Sequence, residues 1–354
     1  MLTLVSVSPE PFALRRRTGD LAEGAARLAA DLAAVPVAEL LAGANRRGVR
    51  GGATSAFTGM RPAPADWFTF EDRDADTRDW HPRGLTGGCD AGRDAAAFVV
   101  SWCWRPGVAA EERGVRLTFL DPETARYRHV LCVSARPDGT YAPLDVQAGG
   151  IAWVDDLLYV ADATCGLRVF DLRRILDLRS VQDDVGDHTL FGRREGKYHA
   201  YGYRFLLPES DRWKPVTTGA HFSFAAVDRS TSPRHLVCGE STEEGGDVGR
   251  LARWRLTGDG DLVADAEGRA VPADAYRAPG HRIQGAVSHE GRWYLSRTGP
   301  GHTRGTLIET AVGDAPEVRE FPHAPEDVTL WRARRQLWSL TGGPRRRALF
   351  AVPL

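Results

Sequence analysis

Four histidines fall at corresponding places in a repeating pattern, and the side chains around them are those best able to do chemistry. They lie in His81-Pro82-Arg83-Gly84, Gly219-Ala220-His221-Phe222, His281-Arg282-Ile283-Gln284-Gly285 and His323-Ala324-Pro325-Glu326-Asp327. A fifth stretch, Gln147-Ala148-Gly149-Gly150, carries glutamine instead. Imidazole is both a near-neutral base and a good nitrogen ligand, so converging histidines would move protons or hold a transition metal. Glu326 and His221 are the expected acid/base pair, with His81, His281 and His323 as further proton carriers. His81, His221, His281 and His323 are also the candidate metal ligands, although the sequence requires no cofactor. A carboxylate serves as general acid or base when desolvation raises its pKa toward neutrality. Glu326 and Asp327 are adjacent, so strand alternation sends them to opposite sides and only one faces the axis.

Arg83 has the fork geometry to hold a carboxylate or phosphate. Gln147, Gln284 and Asp327 would position polar substrate atoms. Trp153, Tyr201 and Phe222 are candidate walls of an apolar pocket. Each of these residues also has a plainer role. A loop histidine bonds neighbouring backbone, a carboxylate caps a turn, an arginine sits in solvent and an aromatic packs a core.

These stretches are brought together only if the chain repeats. From Trp67 onward the texture is short strand-like runs separated by turn residues. One three-part unit recurs five times: a small or polar residue with an apolar strand, a second strand ending on Ser, Ala or Gly, and a third apolar strand. The units start near Gly84, Gly150, Phe222, Gly285 and Asp327, at separations of 66, 72, 63 and 42 residues. Outer fourth strands are expected at Tyr127 to Val133, Tyr201 to Leu207, Ala275 to Arg277 and Val318 to Phe321. The fifth unit runs out of chain at Leu354, and Trp67 to Glu71 would fill the gap by closing the ring, leaving only short, protected edges. The expected fold is an all-β propeller over residues 67–354. It has five blades, or six if Tyr198 to Val216 forms its own, and a β-sandwich is the alternative architecture. Residues 1–66 read as a helical and loop extension: Leu21, Ala25, Leu28 and Leu32 recur at helical spacing until Pro36. Their spacing does not say whether they pack on the propeller, cover its channel or meet another subunit.

Composition narrows the classes of function. The net charge is −1, and the basic side chains are arginines apart from Lys197 and Lys214. No partnership with nucleic acid or an anionic membrane is expected from that balance. The five cysteines form no CxxC pair, and Cys103 and Cys132 sit in apolar runs, so buried free thiols in a reducing compartment are expected. Cys89–Cys103 and Cys165–Cys238 remain open as bridges. No secretory signal pattern and no run of ~18 apolar residues occur, so the expected setting is cytoplasmic. Searches for GxSxG, HExxH, a phosphate-binding P-loop and a strand-linked GxGxxG are negative. Gly258-Asp259-Gly260-Asp261 reads as a turn.

The stretch from Gly149-Gly150-Ile151-Ala152-Trp153 through Leu158-Tyr159-Val160-Ala161-Asp162 to Gly166-Leu167-Arg168-Val169-Phe170-Asp171 resembles a blade of the broad YWTD/NHL-type propellers. The region from Trp80 to Leu354 further resembles a group of uncharacterised actinobacterial propellers, many of them secreted. It does so through Pro82-Arg83-Gly84-Leu85-Thr86, Ala148-Gly149-Gly150-Ile151, Tyr201-Gly202-Tyr203-Arg204, Gln284-Gly285-Ala286-Val287 and Pro325-Glu326-Asp327-Val328. The resemblance implies a fold and transfers no activity. The expectation is a small-molecule enzyme of a bacterial specialised pathway, using acid/base chemistry in an axial pocket as a lyase, cyclase, isomerase or hydrolase. A binding or scaffold propeller and an axial-histidine metalloenzyme are the alternatives. A small-molecule substrate is the expected partner, and the sequence leaves the oligomeric state open.

Overall fold

The computed structural model describes residues 2–88, 91, 97–107 and 111–354, with the side chain of His302 excepted. The chain folds as a β-propeller. Among the described residues, five inner strands surround the axis: β1 (Trp80–Gly87), β2 (Ala148–Val154), β3 (Phe224–Asp228), β4 (Ile283–His289) and β5 (Pro325–Trp331). They neighbour one another in that order, and β5 returns to β1. Each pairs antiparallel with the next strand in the chain, and that strand pairs with a third. Inner strands are buried on both faces, which is why they read as near-continuous apolar runs rather than alternating ones.

The fifth sheet closes as the strand count requires. Asp66–Thr69 pairs antiparallel with the last strand, Ala348–Pro353, in the register Ala348 to Thr69 and Ala351 to Asp66. Residues from the two ends of the ring thus complete one sheet, and the ladder hydrogen bonds of the final strand are satisfied.

The outer strand of the second unit differs from expectation. It is Phe205–Pro215, whose residues 209–213 pair with Gly166–Asp171. Its first half runs parallel to Arg126–Ala135 of the neighbouring sheet, so one long strand joins two blades. Tyr198 to Val216 therefore does not form a blade of its own. Lys197–Ala200 pairs with Phe191–Arg194 as a separate hairpin.

Residues before the closing strand wrap the rim. Short strands at Val5–Val7 and Leu14–Arg16 add to outer edges, and helix α1 (Leu21–Asp31) packs on Phe205–Pro215 and Arg126–Ala135. Gly24 of α1 lies so close that a Cβ there would meet the Ala135 carbonyl oxygen at 2.3 Å. Helix α2 (Val37–Ala42) follows Pro36, and α3 (Asp72–Asp76) sits between the closing strand and β1. Among the described residues no helix is long and apolar enough to cross a membrane. Cys103, Cys132, Cys165 and Cys238 are free thiols, so Cys165 and Cys238 form no bridge; Cys89 lies outside the described residues.

Candidate functional site

Four of the five inner strands open with a β-bulge, at Pro82/Gly84, Ala148/Ile151, Ile283/Gly285 and Pro325/Val328. Each inserts one extra residue opposite the partner strand. A bulge unpairs that residue and re-aims its side chain. The residues so released include Arg83, Gln284, Glu326 and Asp327. This overturns the expectation that only one of Glu326 and Asp327 can face inward: alternation fails at a bulge, so Asp327 is buried among the inner strands while Glu326 borders the cleft.

Asp327 closes the axis. It is fully buried, its Oδ2 accepts the backbone N–H of Leu85 (3.0 Å) and of Ile151 (3.2 Å), and its Oδ1 accepts that of Val328 (3.0 Å). One side chain thereby ties β1, β2 and β5 together. The crowding explains the glycines at the unit starts. A Cβ on Gly150 would lie 2.6 Å from Asp327 Oδ2, and one on Gly285 would lie 2.7 Å from the Asp327 Cα. Burial pushes the Asp327 carboxyl well above the usual carboxylate range, against the pull of its three N–H donors. Asp327 is thus the ring's stitch rather than a substrate contact.

Above it opens a polar cleft of about 380 Å³. Glu326 stands on its wall, bonded through both oxygens to Arg83 Nη1 at 3.1 and 3.2 Å. The Glu326 and Arg83 side chains are 9 % and 26 % exposed, so the pair is held at the edge of solvent. Gln147 and Gln284 border the same cleft, anchored by Arg105 Nη2 (2.9 Å to Gln147 Oε1) and by Ser241 Oγ (3.1 Å from Gln284 Nε2). A second, larger cavity of about 930 Å³ adjoins it, since Ala163, Ser223, Ser241 and Glu243 border both. His221 lies on this second cavity. Its Nδ1 is 3.0 Å from the Ala163 carbonyl oxygen, which can only accept, so Nδ1 carries the proton and Nε2 is the basic nitrogen of the neutral ring.

The other histidines do not converge. His281 turns to Thr242, with Nδ1 3.2 Å from Oγ1. His81 pairs across β1 with Cys103, and burial, then Arg347 and Arg83, hold its pKa below the ordinary value. His323 ends the outer strand Glu317–His323 opposite Arg304, and burial, then Arg346 and Arg304, lower its pKa. The loops before the inner strands differ in length, so equal alignment does not give equal radius. Among the described residues no three His, Cys, Asp or Glu side chains stand close enough together to hold a metal ion. The ligand set His81, His221, His281 and His323 is therefore not assembled. Nor do the aromatics wall the cleft. Trp153 and Phe222 are buried in the core, Phe222 edge-on to Trp254 at 5.6 Å, and Tyr201 lies at the rim, its hydroxyl donating to the Glu112 carbonyl.

The cleft also uses residues that the motif reading missed: Arg105, Ser241, Glu243 and Thr298. They follow the second strand of their units at Trp104, Gly239 and Arg297. The repeat alignment that selected residues before the inner strands would have found these, had it been extended to the loops after the second strands.

No family model matches the sequence, and no curated protein is found similar to it. Solved structures are similar in fold. A GH43_1 enzyme from Xanthomonas citri covers 94 % of this chain and 93 % of its own, at 12 % identity and a TM-score of 0.37. The propeller domain of Cps50 (Swd1) from Myceliophteria thermophila covers 78 % and 98 %, at 8 % identity and a TM-score of 0.36. A nidogen/laminin complex covers 78 % and 81 %, at 12 % identity and a TM-score of 0.36. At such identities and TM-scores these likenesses say nothing of this chain's activity.

Proposed function

We propose that this protein is an enzyme that binds a small polar molecule in the cleft above Asp327 and transforms it by proton transfer. The observation carrying this reading is the Arg83–Glu326 pair, released by two bulges onto the wall of a polar cleft that also presents amide and hydroxyl groups beside Arg105 and Glu243. Glu326 is the group that takes the proton. Arg83 holds that carboxylate in place and offers its guanidinium to an anionic group on the substrate. Gln147 and Gln284 orient polar substrate atoms, and the Nε2 of His221 is a second proton acceptor for a ligand that extends into the adjoining cavity. Lyase, cyclase, isomerase and hydrolase reactions all fit such a pair.

A second reading, binding without chemistry, is favoured by the same ion pair, because a carboxylate held by arginine is a weak base. The two separate on one experiment. Polar metabolites are incubated with the protein in deuterated water, and exchange or product is followed by NMR. The E326Q variant should lose roughly 10²–10⁴-fold in turnover while still binding the same compound. Turnover at the original rate in E326Q would remove Glu326 from the chemistry, and binding with no conversion by the unmodified protein would establish the binding reading.

A further inference from the structure

A separate cavity of about 170 Å³ lies at the rim, where Arg126–Ala135 meets the turn that leads into Phe205–Pro215. It is too small for a whole cofactor, since drug-sized sites run to about 300–1,000 Å³. Four guanidinium groups border it, from Arg46, Arg113, Arg128 and Arg204. Two are neutralised: Arg46 by Glu71 and Asp74, and Arg204 by Asp177. The other two have no carboxylate partner among the described residues. Arg113 stacks on Trp104 and Tyr201, at 5.1 and 4.8 Å, and its Nη2 donates to the His188 carbonyl. Arg128 stacks on Phe205 at 5.0 Å and donates to the Gly43 carbonyl. Aromatic faces and carbonyls position both cations without cancelling their charge.

Two further observations point to a ligand. Burial, then Arg204 and Arg179, push the Arg128 pKa down to about 10, so this site would gain from an anion. The wall is also built under backbone constraint. Tyr201 holds φ at 50°, a left-handed conformation costly for an aromatic residue. Gly202 follows at φ 79°, where a Cβ would strike the His188 ring at 2.4 Å. The turn at Tyr201-Gly202 brings Tyr201, Tyr203 and Arg204 to one cavity at that cost.

We infer that this rim cavity binds a dianionic phosphoryl group, with Arg113 and Arg128 supplying the two positive charges. A phosphomonoester carries about −1.5 to −2 at neutral pH and matches two unpaired guanidiniums, whereas one carboxylate would leave a cation unmatched. The group is either free phosphate or the phosphorylated end of a small metabolite reaching outward through the opening. Nothing in the axial cleft is needed for this site.

The test is titration calorimetry of the full chain with inorganic phosphate, glycerol phosphate and acetate at matched ionic strength. Phosphate should bind, R128Q and R113Q should each weaken it roughly tenfold, and R292Q, at an exposed arginine that borders neither cavity, should leave it unchanged. Circular dichroism confirms that each variant folds. R113Q, on a loop, keeps the test available if R128Q does not fold. Glycerol phosphate binding tighter than phosphate assigns the site to an ester end, and equal or weaker binding assigns it to the free anion; both uphold a dianion site. Absence of phosphate binding, equal binding by the arginine variants, or acetate binding as tightly as phosphate would each overturn it.

Discussion

Asp74 and Asp327 are 2 % and 0 % exposed, yet the protein treats their charge in opposite ways. Asp327, on the axis, meets only backbone N–H donors among the described residues, and burial drives its carboxyl toward the neutral form. Asp74, in α3 at the rim, sits among cations and hydroxyls. Arg116 Nη2 is 2.7 Å from its Oδ1, while its Oδ2 takes Tyr127 Oη at 2.8 Å and His129 Nε2 at 3.0 Å, with Arg46 at 3.3 Å. These partners hold Asp74 well below the usual carboxylate range despite its burial. Arg116 in turn lies 4.7 Å over both Trp80 and Trp102. Depth therefore does not decide the charge of a buried carboxylate; the charge of its donors does. At the axis the demand is to join strands from three blades. At the rim it is to neutralise an arginine enclosed by tryptophans.

The comparison is most sharply tested by replacing each aspartate with asparagine. D74N keeps the shape but leaves Arg116 buried without a counter-charge, and should cost about 3–5 kcal/mol in urea unfolding. D327N replaces an acid already pushed toward neutrality. One backbone N–H then faces an amide NH₂ instead of an oxygen, and the cost should be about 1–3 kcal/mol. Equal losses would mean that Asp327 is ionised in the folded protein and that the contrast is false.

The pH dependence should separate the two regions with opposite signs. His129, beside Asp74, is buried and its pKa is pushed down to about 4, by burial first and then by Arg116. The folded state therefore takes up this proton less readily than the unfolded chain. Its contribution is present above pH ~6.5 and is lost as pH falls toward 4, by roughly 2–3 kcal/mol. For Asp327 the folded pKa is raised, so its contribution is present below pH ~4 and is lost as pH rises through the folded value. Relative to the unmodified protein, H129Q should flatten the acid limb, and D327N should gain stability steadily as pH rises from 4. If the D327N curve runs parallel to the unmodified one from pH 4 to 8, Asp327 does not titrate as its surroundings dictate.

The axial region was far more legible in the sequence than the rim. Glycines at Gly84, Gly150 and Gly285 marked the starts of inner strands, because only a residue without Cβ fits where strands meet Asp327 or its neighbours. The same alignment placed Arg83, Gln147, Gln284 and Glu326 together, and the structure brings these four to one cleft. It misplaced His323 and His281, because side-chain direction at a loop of unequal length is not written in a repeat. The bulges were invisible for a related reason: an extra residue is defined only against a partner strand. Asp74 could not be found at all. It stands in a short helix with no repeat counterpart, and its partners Arg46, Arg116, His129 and Arg347 come from four separate stretches of chain. Trp153 and Phe222 show that an aromatic in or beside a propeller strand signals packing before it signals a pocket.

The smallest expected effect concerns the one partner of Asp74 that brings charge without receiving any. Arg347 is 1 % exposed, and its Nη1 donates to the Asp74 main-chain carbonyl at 2.7 Å rather than to the carboxylate. Its Nη2 is buried without a partner among the described residues, and its guanidinium lies 5.4 Å over the Trp102 ring. Burial, then repulsion from Arg116, lower its pKa to about 10. A buried charge so poorly compensated adds little stability, and an apolar chain of similar length should replace it at almost no cost. R347M should therefore change unfolding free energy by less than ~1 kcal/mol in either direction, well under the loss for D74N. It should also raise the His81 pKa, because after burial itself Arg347 is the largest influence holding that imidazole down. The imidazole proton shift followed by NMR across pH reads this directly. A large loss of stability in R347M, with the His81 pKa unmoved, would place Arg347 inside the Asp74 network as a structural member rather than beside it as a tolerated charge.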